Sequence, residues 1–103
     1  MVFELVTGQV LLSKRPLFIE LHSTILIPTY KKLGIQIVCC LMTEVGDIGK
    51  FIDIYQYSSY GEYDEKTFKL EQLLKEVGYY DKIQNCIQGS ISVQLMNKFY
   101  NEK

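Results

Sequence analysis

The chain has 103 residues, of which 48% are hydrophobic and 22% are charged, and its formal net charge is −1. This length suits one small domain, and so high a hydrophobic fraction argues against disorder. The 11 basic and 12 acidic residues nearly balance, and the basic ones form no cluster, so we expect no nucleic-acid partner. No apolar run approaches the roughly 20 residues of a membrane span, and we expect no secretion signal.

The three cysteines, Cys39, Cys40 and Cys86, are odd in number, and two of them are adjacent. In a strand, neighbouring side chains point to opposite faces, so Cys39 and Cys40 cannot act together. We interpret all three as reduced thiols of a cytoplasmic protein. The single histidine and these thiols do not have the spacing of a metal site, so we expect neither a metal nor another cofactor.

The first half of the chain predicts a strand, a long helix and a second strand. Residues 2–12 alternate apolar and polar side chains as a strand does, and residues 35–45 are rich in β-branched residues. Between them, a helix is expected to begin near Pro16, run to about Leu33 and stop at Gly34. Its apolar residues form two stripes on nearly opposite sides, which indicates a second covering surface. Pro28 is expected to kink or shorten this helix because proline lacks an N–H donor.

The second half predicts a hairpin, a second helix and a last strand. Residues 46–50, G-D-I-G-K, supply turn chemistry before a third strand over residues 51–57. Residues 61–77 have a helical pattern that ends at a glycine, and residues 79–83 are an aromatic connection that could form a short helical turn. A fourth strand is predicted over residues 86–95, followed by a polar end from 97 to 103.

The order β-α-β-β-α-β predicts a ferredoxin-like α+β fold over residues 1–103, with a four-stranded antiparallel sheet. Both helices would cover one face of the sheet. The other face would remain apolar and exposed, and a symmetric dimer with packed sheets would cover it. We therefore expect a homodimer formed through the sheet face.

The stretch T-E-V-G-D-I-G-K-F-I-D-I-Y-Q-Y, residues 43–57, resembles the NIPSNAP family of the dimeric α/β-barrel superfamily. The family pattern is a Thr-Glu-apolar-Gly segment, a turn, and then a strand ending in His-Leu-Trp-x-Tyr; Thr43, Glu44, Gly46 and Tyr57 match it. Phe3-Glu4-Leu5 and the run from Pro28 to Gly34 also match. The resemblance implies a single dimeric α/β-barrel domain over residues 1–103.

The chain departs from the family pattern at positions that could carry chemistry. Asp53 stands where the family has His, and Tyr55 stands where it has Trp. Val6 replaces an arginine, and the family's arginine early in the second helix has no equivalent near residues 62–66. The resemblance therefore implies a fold and a dimer, and it does not carry a reaction over to this chain.

Three polar residues are the candidates for catalysis. Asp53 lies mid-strand between Ile52 and Ile54, so burial could make it a proton-transfer group. It could instead be a structural acid, either at the barrel rim or hydrogen-bonded to Tyr or Lys. Tyr55 shares its face and could line a cavity or an interface. His22 lies between the two apolar stripes of the first helix and could be a base or a structural histidine.

Tyr57, Glu44 and Phe18 are the candidates for a ligand pocket. Tyr57 lies on the same strand face as Asp53, and Phe18 is on a helical stripe near His22. Glu44 ends its strand and could instead support the turn.

Two functions remain open from the sequence. The first is an uncharacterised homodimer that binds a small apolar ligand or a protein partner. The alternative is a cofactor-independent monooxygenase or isomerase of the dimeric α/β-barrel type, acting on an aromatic or polyketide-like substrate with Asp53, His22 and Tyr55 in an apolar pocket. Whether the chain is an enzyme stays undecided at this point.

Overall fold

The structure, a computed structural model, describes residues 1–100. Residues 101–103 lie outside the described residues; they are the last three of the predicted domain and also of the predicted polar end. The four strands are β1 (Val2–Val10), β2 (Gln36–Met42), β3 (Lys50–Tyr57) and β4 (Ile87–Asn97). The helices are α1 (Arg15–Leu21), a π-helical turn (His22–Leu26), α2 (Ile27–Lys32), α3 (Tyr60–Glu76) and α4 (Tyr79–Gln84). The predicted order of elements and the α+β class are confirmed.

Several boundaries differ from the prediction. β1 ends at Val10 rather than at residue 12, because residues Leu12–Lys14 form a 3₁₀ turn. β2 ends at Met42 rather than at residue 45, because the N–H of Thr43 bonds to the carbonyl of Lys50 and closes the hairpin. β4 starts and ends later than predicted and covers Ile87–Asn97, since it pairs with β1 as far as Val2.

The sheet has the order β2-β3-β1-β4, and every neighbouring pair is antiparallel. In the central pair, Glu4 is opposite Tyr55 and Val6 is opposite Asp53. These four side chains therefore share one face, because directly opposed residues of a sheet project to the same side. That face is the one covered by helices, where Glu4, Asp53 and Tyr55 are buried.

The continuous helical segment made of α1, the π-helical turn and α2 accommodates Pro28 through the π-helical turn, which precedes the proline. The N–H of Ile27 reaches back five residues to the carbonyl of His22. Proline cannot donate to the carbonyl four residues earlier and its ring crowds that carbonyl, so the wider turn relieves the conflict. The helix is neither shortened nor stopped at Pro28, and it runs to Lys32.

The buried core lies between the sheet and the helices, with Phe51, Tyr55 and Tyr57 among its most deeply buried side chains. The opposite sheet face carries Leu5 and Ile54, which are paired across β1 and β3 and are only partly buried. Leu41 on β2 and Met96 on β4 are more exposed, at 56% and 43%. This outer face is the apolar surface that the sequence predicted.

Gly49 joins the β2–β3 hairpin to the end of β1. Its φ is +95°, and a Cβ there would lie 2.7 Å from the Val10 carbonyl oxygen. Only glycine fits both requirements. Among the described helices, none is long and apolar enough to cross a membrane.

Candidate functional site

A cavity of about 380 Å³ lies between the helix-covered face of the sheet and the helices. Its wall is mostly apolar and aromatic, and includes Phe18, Tyr30, Phe51, Tyr55, Tyr63 and Tyr79. Glu71 of α3 and Val93 of β4 also line it and are exposed, so the cavity reaches the surface between these two elements. An apolar cavity with a few polar groups is the usual form of a small-molecule site.

His22 and Asp53 form a buried hydrogen-bonded pair in the wall of this cavity. His22 Nε2 lies 2.6 Å from Asp53 Oδ2, and the residues are only 6% and 3% exposed. The hydroxyl of Tyr55 donates to the same carboxylate oxygen over 3.2 Å. β3 places Asp53 on the helix-covered face, and His22 opens the π-helical turn that crosses above it.

The network determines which nitrogen of His22 carries a proton. Asp53 accepts, so Nε2 donates, while the buried Nδ1 has no hydrogen-bond partner in the part of the chain that the structure describes. A proton on Nδ1 would be a buried donor without an acceptor, which is costly. We therefore assign the Nε2–H tautomer, in which the Nδ1 lone pair is free to accept.

Glu4 forms a second polar group in the cavity wall. Tyr57 donates its hydroxyl to Oε1 over 3.2 Å, and Tyr63 donates to Oε2 over 3.3 Å. Burial raises the pKa of Glu4 above its usual value, the two tyrosine hydroxyls oppose that rise, and the nearby Asp53 adds to it. Burial likewise raises the pKa of Tyr57, and it raises the pKa of Tyr63 to about 12, so both phenols remain neutral donors.

A second cavity of about 290 Å³ lies on the β2 side of the same pair, lined by Phe18, His22, Cys40 and Asp53 among others. Ligand atoms of His22, Cys40 and Asp53 lie within 4.8 Å of one another, a donor set that zinc can use. Asp53 was not among the metal ligands considered from the sequence, which were the histidine and the three cysteines. However, desolvation raises the pKa of Cys40 to about 12, which opposes the thiolate that a metal requires. His22 and Asp53 also satisfy each other directly.

The structure brings four of the six candidate residues together. Asp53, His22, Tyr55 and Phe18 line the cavity, and the Phe18 and His22 rings pack with their centroids 4.4 Å apart. Tyr57 is buried beside them, but it is bonded to Glu4 and is not part of the cavity wall. Glu44 is exposed in the β2–β3 connection, away from the cavity.

Glu4, Tyr30 and Tyr63 line the cavity and were not predicted from the sequence. Glu4 had a visible signal, because it shares its strand face with the apolar Val2, Val6 and Val10. An acid on such a face is either at an edge or buried with hydrogen-bond partners. Tyr30 and Tyr63 lie within helical patterns and gave no such signal.

Solved structures with this fold include two from the family that the sequence resembles. A NIPSNAP family protein of unknown function from Agrobacterium tumefaciens superimposes with a TM-score of 0.77 at 21% identity, covering 93% of this chain and 86% of that one. An uncharacterised NIPSNAP domain protein from Burkholderia xenovorans gives 0.82 at 12% identity, covering 99% and 100%.

A third structure with this fold carries an enzyme name. A protein from Nitrosomonas europaea, provisionally named an antibiotic biosynthesis monooxygenase, gives a TM-score of 0.74 at 12% identity, covering 97% of this chain and 100% of that one. No protein-family model and no curated protein matches the chain. The comparisons confirm the ferredoxin-like fold and, at the level of the fold, the resemblance to NIPSNAP proteins.

Proposed function

We propose that the protein binds a small, largely apolar substrate in the 380 Å³ cavity and removes a proton from it without a cofactor. The observation that carries this proposal is the buried His22–Asp53 pair in the cavity wall, with Nδ1 of His22 left without a partner. A purely structural pair would be expected to satisfy both ring nitrogens, because buried polar atoms are almost always hydrogen-bonded. A substrate that reached this buried nitrogen would supply the missing donor. This geometry favours the enzyme over the simple ligand carrier.

In the proposed reaction, His22 is the general base and Asp53 the residue that orients it. Nδ1 accepts a proton from an acidic C–H or O–H of the substrate, and the bonding electron pair stays on the substrate as an enolate or phenolate. The Asp53 carboxylate holds the ring through Nε2–H and stabilises the imidazolium that forms. The Tyr55 hydroxyl fixes the same carboxylate oxygen.

Two reactions share this first step. Return of the proton to a different carbon would make the protein an isomerase. Reaction of the substrate anion with dioxygen would make it a monooxygenase, with one oxygen atom entering the substrate as a carbonyl and the other leaving as water. A CH₂ group oxidised to a carbonyl supplies the four electrons that dioxygen requires. The name of the Nitrosomonas europaea neighbour supports the second reaction.

The test measures proton removal and oxygen use separately. Aromatic and polyketide-like ketones are incubated with the protein in D₂O, with NMR following loss of C–H signals and an electrode following oxygen. Asp53→Asn, whose amide oxygen can still accept the Nε2–H bond, should lower the exchange rate by about 10²-fold or more. Asp64→Asn, the same change at an exposed site on α3, is the control.

Exchange at the wild-type rate in Asp53→Asn would contradict the proposal. Binding of the ketones by the wild-type protein without any exchange or oxygen uptake would identify a ligand carrier instead of an enzyme.

We also propose that the chain forms a homodimer through the outer sheet face, as one dimeric α/β-barrel domain. The partly exposed Leu5 and Ile54 at the centre of that face support this, since monomers seldom leave such a surface uncovered.

We also propose that the protein is cytoplasmic, because Cys39, Cys40 and Cys86 are free thiols, as is typical of a reducing compartment.

A further inference from the structure

We propose that the substrate of this cavity is an organic amine, whose ammonium group is held by Glu4 and whose apolar or aromatic body fills the rest of the space. This inference rests on the proposed function, because it names the class of ligand for the same cavity. Glu4 would bind the ligand, whereas His22 and Asp53 would carry out the chemistry.

The charges of the cavity wall favour a cation. Glu4, Asp53 and Glu71 line it, and no Lys or Arg among residues 1–100 does so. Asp53 is already paired with His22, but Glu4 has no cationic partner in the described part of the chain. A ligand that carries a permanently charged carboxylate or phosphate would meet like charge in a low-dielectric space, so this wall disfavours such ligands.

The hydrogen bonds of Glu4 leave its carboxylate oxygens able to accept further bonds from a cation. Each of its oxygens accepts one tyrosine hydroxyl, from Tyr57 and from Tyr63. Two carboxylate oxygens can accept about four hydrogen bonds, so acceptor capacity remains for a ligand N–H. Glu4 is only 6% exposed and burial raises its pKa. An ammonium group at this place would offset the cost of the buried negative charge.

Aromatic rings in the cavity wall provide the second element of ammonium recognition. Tyr63 lines the cavity beside Glu4, and Tyr30 and Tyr55, stacked with their centroids 4.0 Å apart, line it as well. Aromatic faces beside a carboxylate attract ammonium ions through the ring quadrupole, most strongly where water is excluded. A cavity of 380 Å³ is near the lower limit for small-molecule sites, roughly 300–1,000 Å³, which suits a ligand of one or two rings.

The experiment compares three probes of one shape and different charge: 2-phenylethylamine, 2-phenylethanol and 3-phenylpropionate. Dissociation constants are measured at pH 7 by NMR titration of the full chain. We expect the amine to bind at least tenfold more tightly than the alcohol, and the carboxylate to bind most weakly. Glu4→Gln should remove the preference for the amine and leave binding of the alcohol within about twofold. Glu76→Gln, at the exposed end of α3, is the control.

The wild-type comparison decides the proposal even if Glu4→Gln fails to fold. Alcohol or carboxylate binding as tight as amine binding would overturn the amine assignment and leave the proposed function standing, because proton removal does not depend on Glu4. Persistence of the amine preference in a folded Glu4→Gln variant would also overturn it. Loss of binding for all three probes, with no ketone exchange, would overturn both proposals.

Discussion

At the scale of single residues, a carboxylate out of water requires partners, and Asp53 and Glu4 satisfy that requirement differently. Asp53 accepts from a ring nitrogen and a phenol, whereas Glu4 accepts from two phenols. The first arrangement keeps the His22 ring oriented, and the second leaves a buried acid without a countercharge among residues 1–100. Both acids lie on the same face of adjacent strands, and the charge of Asp53 raises the pKa of Glu4 further.

The alternation around Asp53 predicted that its side chain could be buried, because its strand neighbours Ile52 and Ile54 face the other way. The identity of its partner could not be predicted. His22 is 31 residues away in sequence, and only the packing of the first helix on β3 determines that the two meet. The same holds for Glu4 and Tyr63, which are 59 residues apart.

The raised pKa of Glu4 predicts a pH dependence of stability. The folded protein retains the Glu4 proton to higher pH than the unfolded chain does, so the contribution is fully present below about pH 4.5 and is lost as pH rises through the raised pKa. Wild-type stability should therefore fall relative to Glu4→Gln as the pH rises above about 4.5. Urea denaturation across this range measures the difference. A constant difference, or one that favours the wild type at high pH, would contradict the assignment.

At the scale of elements, the glycines that end the helices were predictable from the sequence, whereas the backbone conformation before Pro28 was not. Gly34 and Gly78 follow helices and have φ of +72° and +69°. This left-handed backbone conformation is expected of a glycine just after the end of a helix. The π-helical turn was not predicted, because sequence periodicity shows that a proline disturbs a helix but not how the backbone responds. In this chain the response is a π-helical turn that begins at His22.

Replacing the proline should change the site through the backbone. Pro28→Ala restores an N–H donor and removes the ring, so the helix can close with ordinary α-helical bonds, and alanine favours a helix by about 3 kcal/mol over proline. We expect loss of the π-helical turn and of the His22–Asp53 hydrogen bond, seen as a changed His22 ring nitrogen shift in NMR. Pro16→Ala, in the first turn of α1, is the control and should change nothing. A wild-type His22 shift in Pro28→Ala would show that the proline does not cause the turn.

At the scale of the whole molecule, the helices cover one face of the sheet and leave the other apolar. The arrangement follows from the β-α-β-β-α-β order, which was predictable because each element has a clear period and clear ends. What covers the outer face depends on a second chain, and for that reason the dimer stays a prediction.

A charge at the centre of the outer face should prevent dimer formation. Ile54→Lys places an ammonium group where two sheets would meet, and burial of an unpaired charge is strongly unfavourable. Analytical ultracentrifugation at micromolar concentration should give a dimer for the wild type and a monomer for this variant. Val45→Lys, a matched change at a residue that is 93% exposed in the β2–β3 connection, should remain a dimer. A monomeric wild type would contradict the dimer directly.

The most direct test of the His22–Asp53 site is the ¹⁵N NMR spectrum of the ring nitrogens of His22. The chain has one histidine, so the two resonances need no assignment among residues. At neutral pH we predict a protonated Nε2 and an unprotonated Nδ1, and we predict that Nδ1 alone shifts strongly when a ligand with an acidic proton fills the cavity. A proton on Nδ1 in the free protein, or an Nδ1 resonance unaffected by a ligand that binds the cavity, would contradict the assignment of His22 as the base.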